Sequence, residues 1–369
     1  MDKAQESKTY HRIKNQLFFV GLGVDIIFLI VVTVSGLSVG LRNFAANVSS
    51  HFFILNGIYT FFLAVGMYLL HFPLGFFEGF IWEHRFRLSR QKFLHWLGDD
   101  LKKAAINGIV MLIAIEVIYA LLRRFPDTWW IGAGLFWLFL NLVLSQITPR
   151  VIIPLFYKYS VIENQELKDC ILKLFETAHI KIKDAYAINF SAKTKKANAF
   201  ICGLGESRRV VLSDTLLDEF SIPEIETVVA HEIGHYKHHD ILKLTVIHSL
   251  VVFCGFFLIR QFLQKALGIF GLAHMDDIAF LPVVALAFII FGFLMMPLLN
   301  SFSRKLEVKA DDFSLKLTQR PQDFISMIKK LGMMNLAEFE PNAFIEMLFY
   351  SHPPIAKRIK FAESFSLES

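Results

Sequence analysis

Charged residues are scarce in this chain of 369 residues. They make up only 19% of it, whereas 54% of the residues are hydrophobic and Phe alone occurs 39 times. Soluble domains carry about 25% charged residues. The shortage argues against a soluble enzyme and against a disordered chain. Together with a mean hydropathy of +0.48, it predicts a polytopic membrane protein.

Several chemical signatures are absent as well. The three cysteines, Cys170, Cys202 and Cys254, form no CxxC motif and no spacing typical of a disulfide framework, so they indicate no redox site. The sequence has no Gly-rich phosphate loop and no G-x-S-x-G motif. Outside the flanks of apolar stretches, no basic block alternates with stacking aromatics. The net charge of +5 therefore does not indicate a nucleic-acid partner.

Six apolar stretches are long enough to cross a membrane, since a helical span needs about 20 residues. The fourth continues through Pro149 and Pro154, so a seventh span or a broken extension at 149–156 stays open. The first carries Asp25 and is followed by no cleavage site, which favours a span over a signal peptide. The six stretches are 17–39, 52–81, 104–122, 129–148, 241–263 and 279–302.

Lys and Arg residues predict how these spans are oriented. Ten of them lie in the N-terminal tail and the 82–103 loop, against four in the loops on the opposite side. Because basic loops stay in the cytoplasm, both termini and both long polar stretches are expected there. The organisation is then an N-terminal transmembrane domain at 1–156 and a cytoplasmic-side domain at 157–240. Two further spans at 241–302 precede a C-terminal part of that domain at 303–369.

Polar residues interrupt the apolar stretches. Such groups are costly in lipid and usually face a bundle interior or a wet cavity. Hydrogen bonding between helices explains any one of them, but eight together favour a hydrated interior. They are Asp25, Asn56, His71, Glu116, Asn141, Gln146, His248 and Asn300.

The polar stretch after residue 157 has α+β character. An amphipathic helix is predicted at 164–178, followed by strands at 184–190, 198–204 and 208–213 with a Gly-Glu-Ser turn at 205–207. The KTKK run at 193–196 is interpreted as a solvated loop. Ser221 and Glu224 form an S-x-x-E capping box, which predicts a helix that begins there and runs to about residue 239.

That helix carries the motif with chemistry, H-E-x-x-H at 231–235. Residues four apart share one face of a helix, so His231 and His235 can bind one metal ion while Glu232 stands beside it. A catalytic zinc needs a third protein ligand and an open position for water. Glu307 is the candidate. Asp311, one turn later, is placed to hydrogen-bond a ligand imidazole and fix its tautomer.

These residue types predict peptide hydrolysis. A bound zinc activates water and polarises a carbonyl, and Glu232 serves as the general base. An exposed edge strand can align a peptide by main-chain hydrogen bonds, and the 198–204 strand is the candidate. His352 and Arg358 in SHPPIAKR could stabilise the oxyanion, although a His-Pro-Pro turn before a helix is also an ordinary structural feature.

At these residues the chain resembles the integral-membrane zinc metalloproteases of the type I CAAX prenyl protease family, which are related to the bacterial heat-shock membrane proteases. Four spans in the N-terminal half favour the CAAX protease branch. The resemblance covers nearly the whole chain. It is carried by EHRFRLSRQKFLHWLGDDLKK, TPRVIIPLFYKY, ANAFICGLGESRRVVLSDTLL, HEIGH, NSFSRKLEVKADDFSL and SHPPIAKRIK.

The resemblance implies a fold and a set of roles. The expected fold is an α-helical polytopic membrane protein with six to seven spans around a hydrated chamber, and an α+β zincin (gluzincin-like) protease domain. One Zn²⁺ is expected per chain, with peptide or protein substrates, among them prenylated C-terminal CAAX peptides, and with membrane lipid. The implied site is His231, His235 and Glu307 as zinc ligands, Glu232 as base, and Asn198, His352 and Arg358 against the substrate.

The sequence differs from the pattern of this family in two respects, and alternative functions therefore stay open. Six clear spans are found where the eukaryotic enzymes have seven, and only 264–278 separates the last two spans. The short connection indicates a bacterial inner-membrane protein, or an ER-membrane protein if the chain is eukaryotic. A bacterial enzyme could instead act in quality control on misfolded membrane proteins. A transporter or channel is a further alternative, but no internal repeat supports it and H-E-x-x-H has no transport rationale.

Overall fold

Six long helices dominate the computed structural model, which describes residues 3–203, 208–266 and 274–365. Within these residues, six helices are long and apolar enough to cross a membrane, so the prediction of a polytopic α-helical protein is confirmed. They lie at Lys3–Val34, Phe52–Arg85, Phe93–Arg124, Trp129–Leu155, Asp240–Lys265 and Ile278–Thr318.

The N-terminal half contains one helix that the hydropathy pattern did not separate. Gly36 adopts φ 78°, a left-handed conformation that glycine tolerates, and it ends the first helix and starts a helix of 12 residues. At 1.5 Å per residue this short helix is about 18 Å long, too short to cross a core of about 30 Å. The helices are α1 (Lys3–Val34), α2 (Leu37–Val48), α3 (Phe52–Phe76), α4 (Glu83–Arg85), α5 (Phe93–Arg124) and α6 (Trp129–Ile147).

The segment 149–156 is an extension of the fourth span. A π-helical turn at Thr148–Ile152 and a 3₁₀ turn at Ile153–Leu155 continue α6 without a break, giving one span of 27 residues. Of the two alternatives for this segment, a separate seventh span is wrong, and the extension is present as irregular helical turns that continue the fourth span. Pro149 and Pro154 lack amide hydrogens, which accounts for the departure from regular α-helix here.

Two polar residues of the spans, Asp25 and His71, contact each other between helices α1 and α3. His71 Nε2 lies 2.6 Å from Asp25 Oδ1, and both line a cavity of about 400 Å³ with Tyr68, Glu78 and Asp100. The cavity confirms that part of the bundle interior is polar. A continuous hydrated chamber stays a prediction.

A four-stranded sheet forms the first part of the protease-side domain. Its order is β1-β2-β4-β3, with only β2 and β4 parallel. The three expected strands are confirmed. The three-residue β1 is too short for a period-2 pattern and was not predicted. The 205–207 turn lies outside the described residues. The strands are β1 (Tyr159–Val161), β2 (Asp184–Ile188), β3 (Ala199–Cys202) and β4 (Arg209–Ser213).

Helices cover this sheet and carry the catalytic motif. The expected capping residues are confirmed: Asn164 Oδ1 accepts a hydrogen bond from Leu167, and Ser221 and Glu224 form the capping box. Buried Glu224 also pairs with Lys330 Nζ at 2.7 Å, which joins two helices. The helices are α7 (Gln165–Thr177), α8 (Asp214–Glu219), α9 (Ile222–Lys237), α10 (Asp240–Ala266), α11 (Leu281–Thr318), α12 (Pro321–Met334), α13 (Ala343–Phe349) and α14 (Ile355–Glu363).

The spans and the protease-side domain share helices and tight connections. Only His238 and His239 separate α9 from α10, and His239 makes the turn with φ 55°. Helix α11 continues for 38 residues from the last span into the domain, so the expected boundary at 302/303 falls within one helix. Helix α9 is thus joined to one apolar span by a two-residue turn, and α11 itself extends from another span.

The interpretation of 193–196 as a solvated loop is wrong. Lys193 pairs with Asp99, and Lys196 Nζ lies 2.9 Å from Glu83 Oε2. Both acidic partners are about a hundred residues earlier in the chain. No local pattern could therefore have shown that these lysines are paired.

Candidate metal centre

The two motif histidines and Glu307 meet where α9 packs against α11. His231 Nε2 lies 3.1 Å from His235 Nε2, and each of these nitrogens lies 3.3 Å from a carboxylate oxygen of Glu307. The three side chains are 8–21% exposed, so the cluster is largely shielded from solvent. The two histidines are close because they are four residues apart on one helix, α9. Glu307 joins them because α11 packs against α9.

These distances fit a zinc ion. Ligand atoms about 2.1 Å from a tetrahedral zinc lie about 3.4 Å from each other. The ligand atoms of His231, His235 and Glu307 all lie within 4.8 Å of one another. Glu307 Oε2 is buried and accepts no hydrogen bond from the described residues, which is costly unless a cation satisfies it. The donor set of two imidazoles and one carboxylate also matches a catalytic zinc site.

Two carboxylates support the histidines from behind. Asp311 Oδ1 lies 2.8 Å from His231 Nδ1, and Asp240 Oδ2 lies 3.0 Å from His235 Nδ1. Both aspartates are almost fully buried. In each imidazole Nδ1 thus faces a carboxylate, and Nε2 faces the ligand cluster. The carboxylate favours the tautomer with its proton on Nδ1, which leaves Nε2 free to bind a metal.

Asp240 was missed in the sequence. It follows the motif by only five residues, but it lies beyond the helix end, where helical periodicity no longer indicates which residues meet. The left-handed turn at His239 brings it back towards His235. A carboxylate directly after a short break in an H-E-x-x-H helix was the available signal.

Arg358 lies against Asp311 at the edge of the cavity that Asn198, Glu232 and His352 also line. Its Nε and Nη2 atoms donate to the two oxygens of Asp311 at 2.7 and 2.5 Å, and its side chain is 10% exposed. Burial acts to lower the pKa of Arg358, but the carboxylates of Asp311, Glu307 and Glu232 outweigh it and the pKa is raised. The arginine stays charged and fixes Asp311. A contact between Arg358 and substrate stays a prediction.

Glu232 and His352 reach the centre from different elements. Glu232 is on α9. Burial raises its pKa, opposed by the two motif histidines. A raised pKa brings this carboxyl closer to neutral pH, where it can both accept and return a proton. His352 Nε2 lies 3.3 Å from Glu307 Oε1, and its side chain is 61% exposed towards the cavity.

One cavity of about 350 Å³ joins these residues. Asn198, Glu232, His352 and Arg358 all line it together with His231, so the fold brings the proposed substrate residues next to one of the candidate ligands. Asn198 precedes β3, the edge strand of the sheet, and its backbone N donates to Ser213 Oγ at 3.0 Å. The apolar part of the lining consists mainly of Leu216, Val228, Met327, Ile328, Leu331 and Ile355.

We expect Asp240→Asn to lower zinc affinity by about 10–100-fold, the usual effect of losing a carboxylate behind a ligand histidine. The amide keeps the size of the side chain but lacks the negative charge that stabilises a proton on His235 Nδ1. Zinc binding measured by competition with a chelator tests this. The matched control is Asp218→Asn on α8, where the side chain is exposed and zinc binding should not change. Equal zinc affinity in wild type and Asp240→Asn would contradict the role.

Gly234 allows the close packing of α9 and α11. A Cβ at this position would lie 3.1 Å from Ala310 Cα and Phe313 Cβ and 3.2 Å from the Ala310 oxygen. Gly234→Ala gains about 1 kcal/mol of helix propensity, but overpacking against backbone costs about 1–3 kcal/mol. We expect lower thermal stability and at least about a tenfold loss of kcat, since small displacements of reacting groups are costly.

Gly98→Ala is the control for this substitution. Gly98 lies on α5, and nothing is within 4 Å of its Cβ position, so only the propensity gain applies there. Thermal unfolding in detergent and kcat on one peptide measure both variants. If Gly234→Ala is as active and as stable as Gly98→Ala, the close approach is not required.

Comparisons with known proteins agree with this geometry. The family model described as "Peptidase family M48" matches residues 162–366, and the model "CAAX prenyl protease N-terminal, five membrane helices" matches residues 1–158. Five helices of 12 residues or more lie in that second range: α1, α2, α3, α5 and α6. Four of these five are long and apolar enough to cross a membrane, and α2 is not among them.

Similar proteins include bacterial and eukaryotic ones. The chain is 29% identical to "Uncharacterized metalloprotease YhfN" of Bacillus subtilis, over 97% of this chain and 84% of that protein. It is 27% identical to "CAAX prenyl protease 1" of Saccharomyces cerevisiae (79% and 68%) and 25% identical to "CAAX prenyl protease 1 homolog" of Homo sapiens (78% and 69%).

A solved structure shares the fold. The crystal structure of Ste24p from S. mikatae matches with a TM-score of 0.87 at 22% identity, covering 99% of this chain and 89% of that one. The M48 model itself spans more than half of the chain and includes the whole ligand cluster. This chain therefore belongs to peptidase family M48, and it is a multi-pass membrane metalloprotease.

Proposed function

We propose that this protein is a zinc endopeptidase that cleaves membrane-associated peptides, with prenylated CAAX-type C-termini as its substrate class. One zinc is held by His231, His235 and Glu307, and Glu232 is the general base. The observation that carries the proposal is that Glu232 and His231, one residue of the ligand cluster, line one cavity with Asn198 at the sheet edge. Acid-base chemistry, a metal site and a peptide-aligning strand then meet in one place.

Glu232, His352 and Arg358 have different proposed roles in peptide hydrolysis. A bound zinc supplies polarisation of the scissile carbonyl and a lowered pKa for water. The carboxylate of Glu232 accepts a proton from the attacking water and delivers it to the leaving amine. His352, exposed to the cavity beside Glu307, donates a hydrogen bond to the developing oxyanion. Arg358 acts through Asp311 to keep His231 oriented.

The edge strand provides the means to align a peptide. β3 pairs on one side with β4, from Ala199 opposite Leu212 to Cys202 opposite Arg209. As the terminal strand of the sheet, it presents backbone groups to which an extended substrate can add as a further strand. Asn198, immediately before β3, would fix the register of the substrate at the catalytic end.

The lining of the cavity supports the CAAX assignment. A CAAX sequence places two aliphatic residues after the prenylated cysteine. The cavity offers the side chains of Leu, Val, Met and Ile residues next to His231 and Glu232. Several relatives are named CAAX prenyl proteases. The spans next to the site offer an apolar surface for the prenyl group, because α10 begins three residues after α9 ends.

The same structure supports a cytoplasmic active site. Ser89, in the basic loop at 82–103, forms a β-bridge with Thr194, four residues before Asn198. The loop with the largest share of the cytoplasmic Lys and Arg residues thus lies on the side of the catalytic cavity. We propose that the N-terminus, the C-terminus and the site all face the cytoplasm, following the positive-inside rule.

The test compares three substrates in one purified preparation. A farnesylated CAAX peptide, the same peptide without farnesyl, and an unfolded membrane protein are incubated with the zinc-loaded enzyme in detergent. We expect cleavage of the farnesylated peptide with a higher kcat/KM than the unmodified one. Cleavage of only the unfolded protein would assign the enzyme to quality control. No cleavage of any substrate by protein with bound zinc would contradict the endopeptidase proposal.

A further inference from the structure

A partly buried charged cluster connects the transmembrane part to the segment that leads into the edge strand. Lys196 Nζ lies 2.9 and 3.1 Å from the two oxygens of Glu83 and 3.2 Å from the hydroxyl of Tyr10. The Tyr10 hydroxyl donates to Glu83 as well. The Glu83 side chain is only 13% exposed. These three residues, called here the Glu83 cluster, come from α1, α4 and the loop before β3.

Backbone contacts extend this connection along the loop. Leu88 O accepts hydrogen bonds from Lys195 N at 2.9 Å and from Thr194 Oγ1 at 3.0 Å, and Arg90 N donates to Lys193 O at 2.9 Å. The loop after the second span therefore lies along residues 193–195 like a short strand. Lys196 is the last residue of this segment that contacts the transmembrane half.

The backbone of Lys196 and Ala197 is hydrogen-bonded to the protease-side domain. Thr215 Oγ1 donates to Lys196 O at 2.8 Å, and the Asn335 side chain bonds both the N and the O of Ala197, at 3.1 and 3.3 Å. Asn198 comes next and lines the catalytic cavity. Lys196 thus has contacts from both halves: its side chain with Glu83 and Tyr10, and its carbonyl oxygen with Thr215. The residues of the Glu83 cluster are not among those that line the cavity.

We propose that Glu83 is a positioning residue for substrate binding, which acts by fixing Lys196 and thereby Asn198 and the start of β3. The inference rests on the proposed function, because it gives β3 and Asn198 their role in peptide alignment. Glu83 is nearly buried, and it is the carboxylate that holds the Lys196 ammonium. Without this charge the ammonium loses its charge-assisted bonds, and residues 193–198 lose their anchor on the transmembrane side.

The test uses matched substitutions on each side of the pair. Glu83→Gln and Lys196→Met are expected to raise KM for the peptide by about fivefold or more, with kcat changed less and zinc content unchanged, since the loss is in substrate binding. Lys196→Arg keeps a cation within reach of Glu83 and should stay close to wild type. Lys195→Met is the control, because Lys195 is exposed and its backbone bond to Leu88 is retained.

Amide hydrogen exchange supplies a readout that does not depend on turnover. Exchange in residues 193–202 should accelerate in Glu83→Gln while α9 and α11 keep their protection. Faster exchange in that segment with an inactive wild type would disprove the proposed function and leave the positioning inference supported. An unchanged KM with unchanged exchange would overturn the inference. So would a loss of zinc or of global stability that accounts for all of the lost activity, since that is a purely structural role.

Discussion

Replacing Glu232 with Gln is expected to lower kcat by about 10²–10⁴-fold, the usual contribution of a general acid-base group, while the protein keeps its metal. The amide has nearly the size of the carboxyl group but cannot accept the proton of the attacking water. Glu232 lines the cavity and is not one of the three side chains that form the ligand cluster. The loss should therefore appear in the chemical step and not in metal binding.

Two measurements distinguish a loss in the chemical step from a loss of metal binding. Turnover of the peptide gives kcat, and elemental analysis of the purified protein gives zinc per chain. Glu219→Gln at the end of α8 is the control, because that side chain is exposed and outside the cavity. Comparable kcat for Glu232→Gln and wild type would remove Glu232 from the mechanism. A loss of zinc together with activity would instead make Glu232 a structural part of the metal site.

The features that the sequence predicted well are local. One example is the capping box at Ser221 and Glu224, and another is the i, i+4 spacing of His231 and His235. Both depend on residues within one or two helical turns, so the local sequence alone specifies them. Apolar length likewise specifies the six spans. Helix α2 was missed because its 12 residues carry no span-length pattern, and its separation from α1 depends on the backbone of a single glycine, Gly36.

The features that the sequence missed are contacts over long distances in the chain. Asp240 reaches His235 only because the chain reverses at His239, and Lys196 meets Glu83 across 113 residues. The bond between Arg358 and Asp311 was likewise not foreseen, since it depends on the packing of α14 next to α11. Charge pairing of this kind depends on which helices become neighbours, and periodicity within one helix carries no information about that.

Glu307→Ala is expected to leave the purified protein with almost no zinc and with activity at the background level. The substitution removes one of the three proposed ligands. Its effect on zinc affinity should therefore exceed the loss of about 10–100-fold that is expected when a hydrogen-bonding partner of a ligand is removed. The methyl group of Ala cannot reach the point that His231 and His235 share, and the two histidines remain 3.1 Å apart without an anion between them. Glu307 would thus be distinguished from Glu232, whose loss spares the metal.

Metal removal from the wild type provides the comparison for this variant. Treatment with a chelator should abolish peptide cleavage and lower the unfolding temperature, because an ion that binds only the folded state stabilises it. Added zinc should restore both in the wild type and neither in Glu307→Ala. Asp312→Ala is the matched control on α11: its carboxylate pairs with Lys316 on the surface, and such pairs contribute little to stability. Full zinc content in Glu307→Ala would show that the third ligand is a different residue.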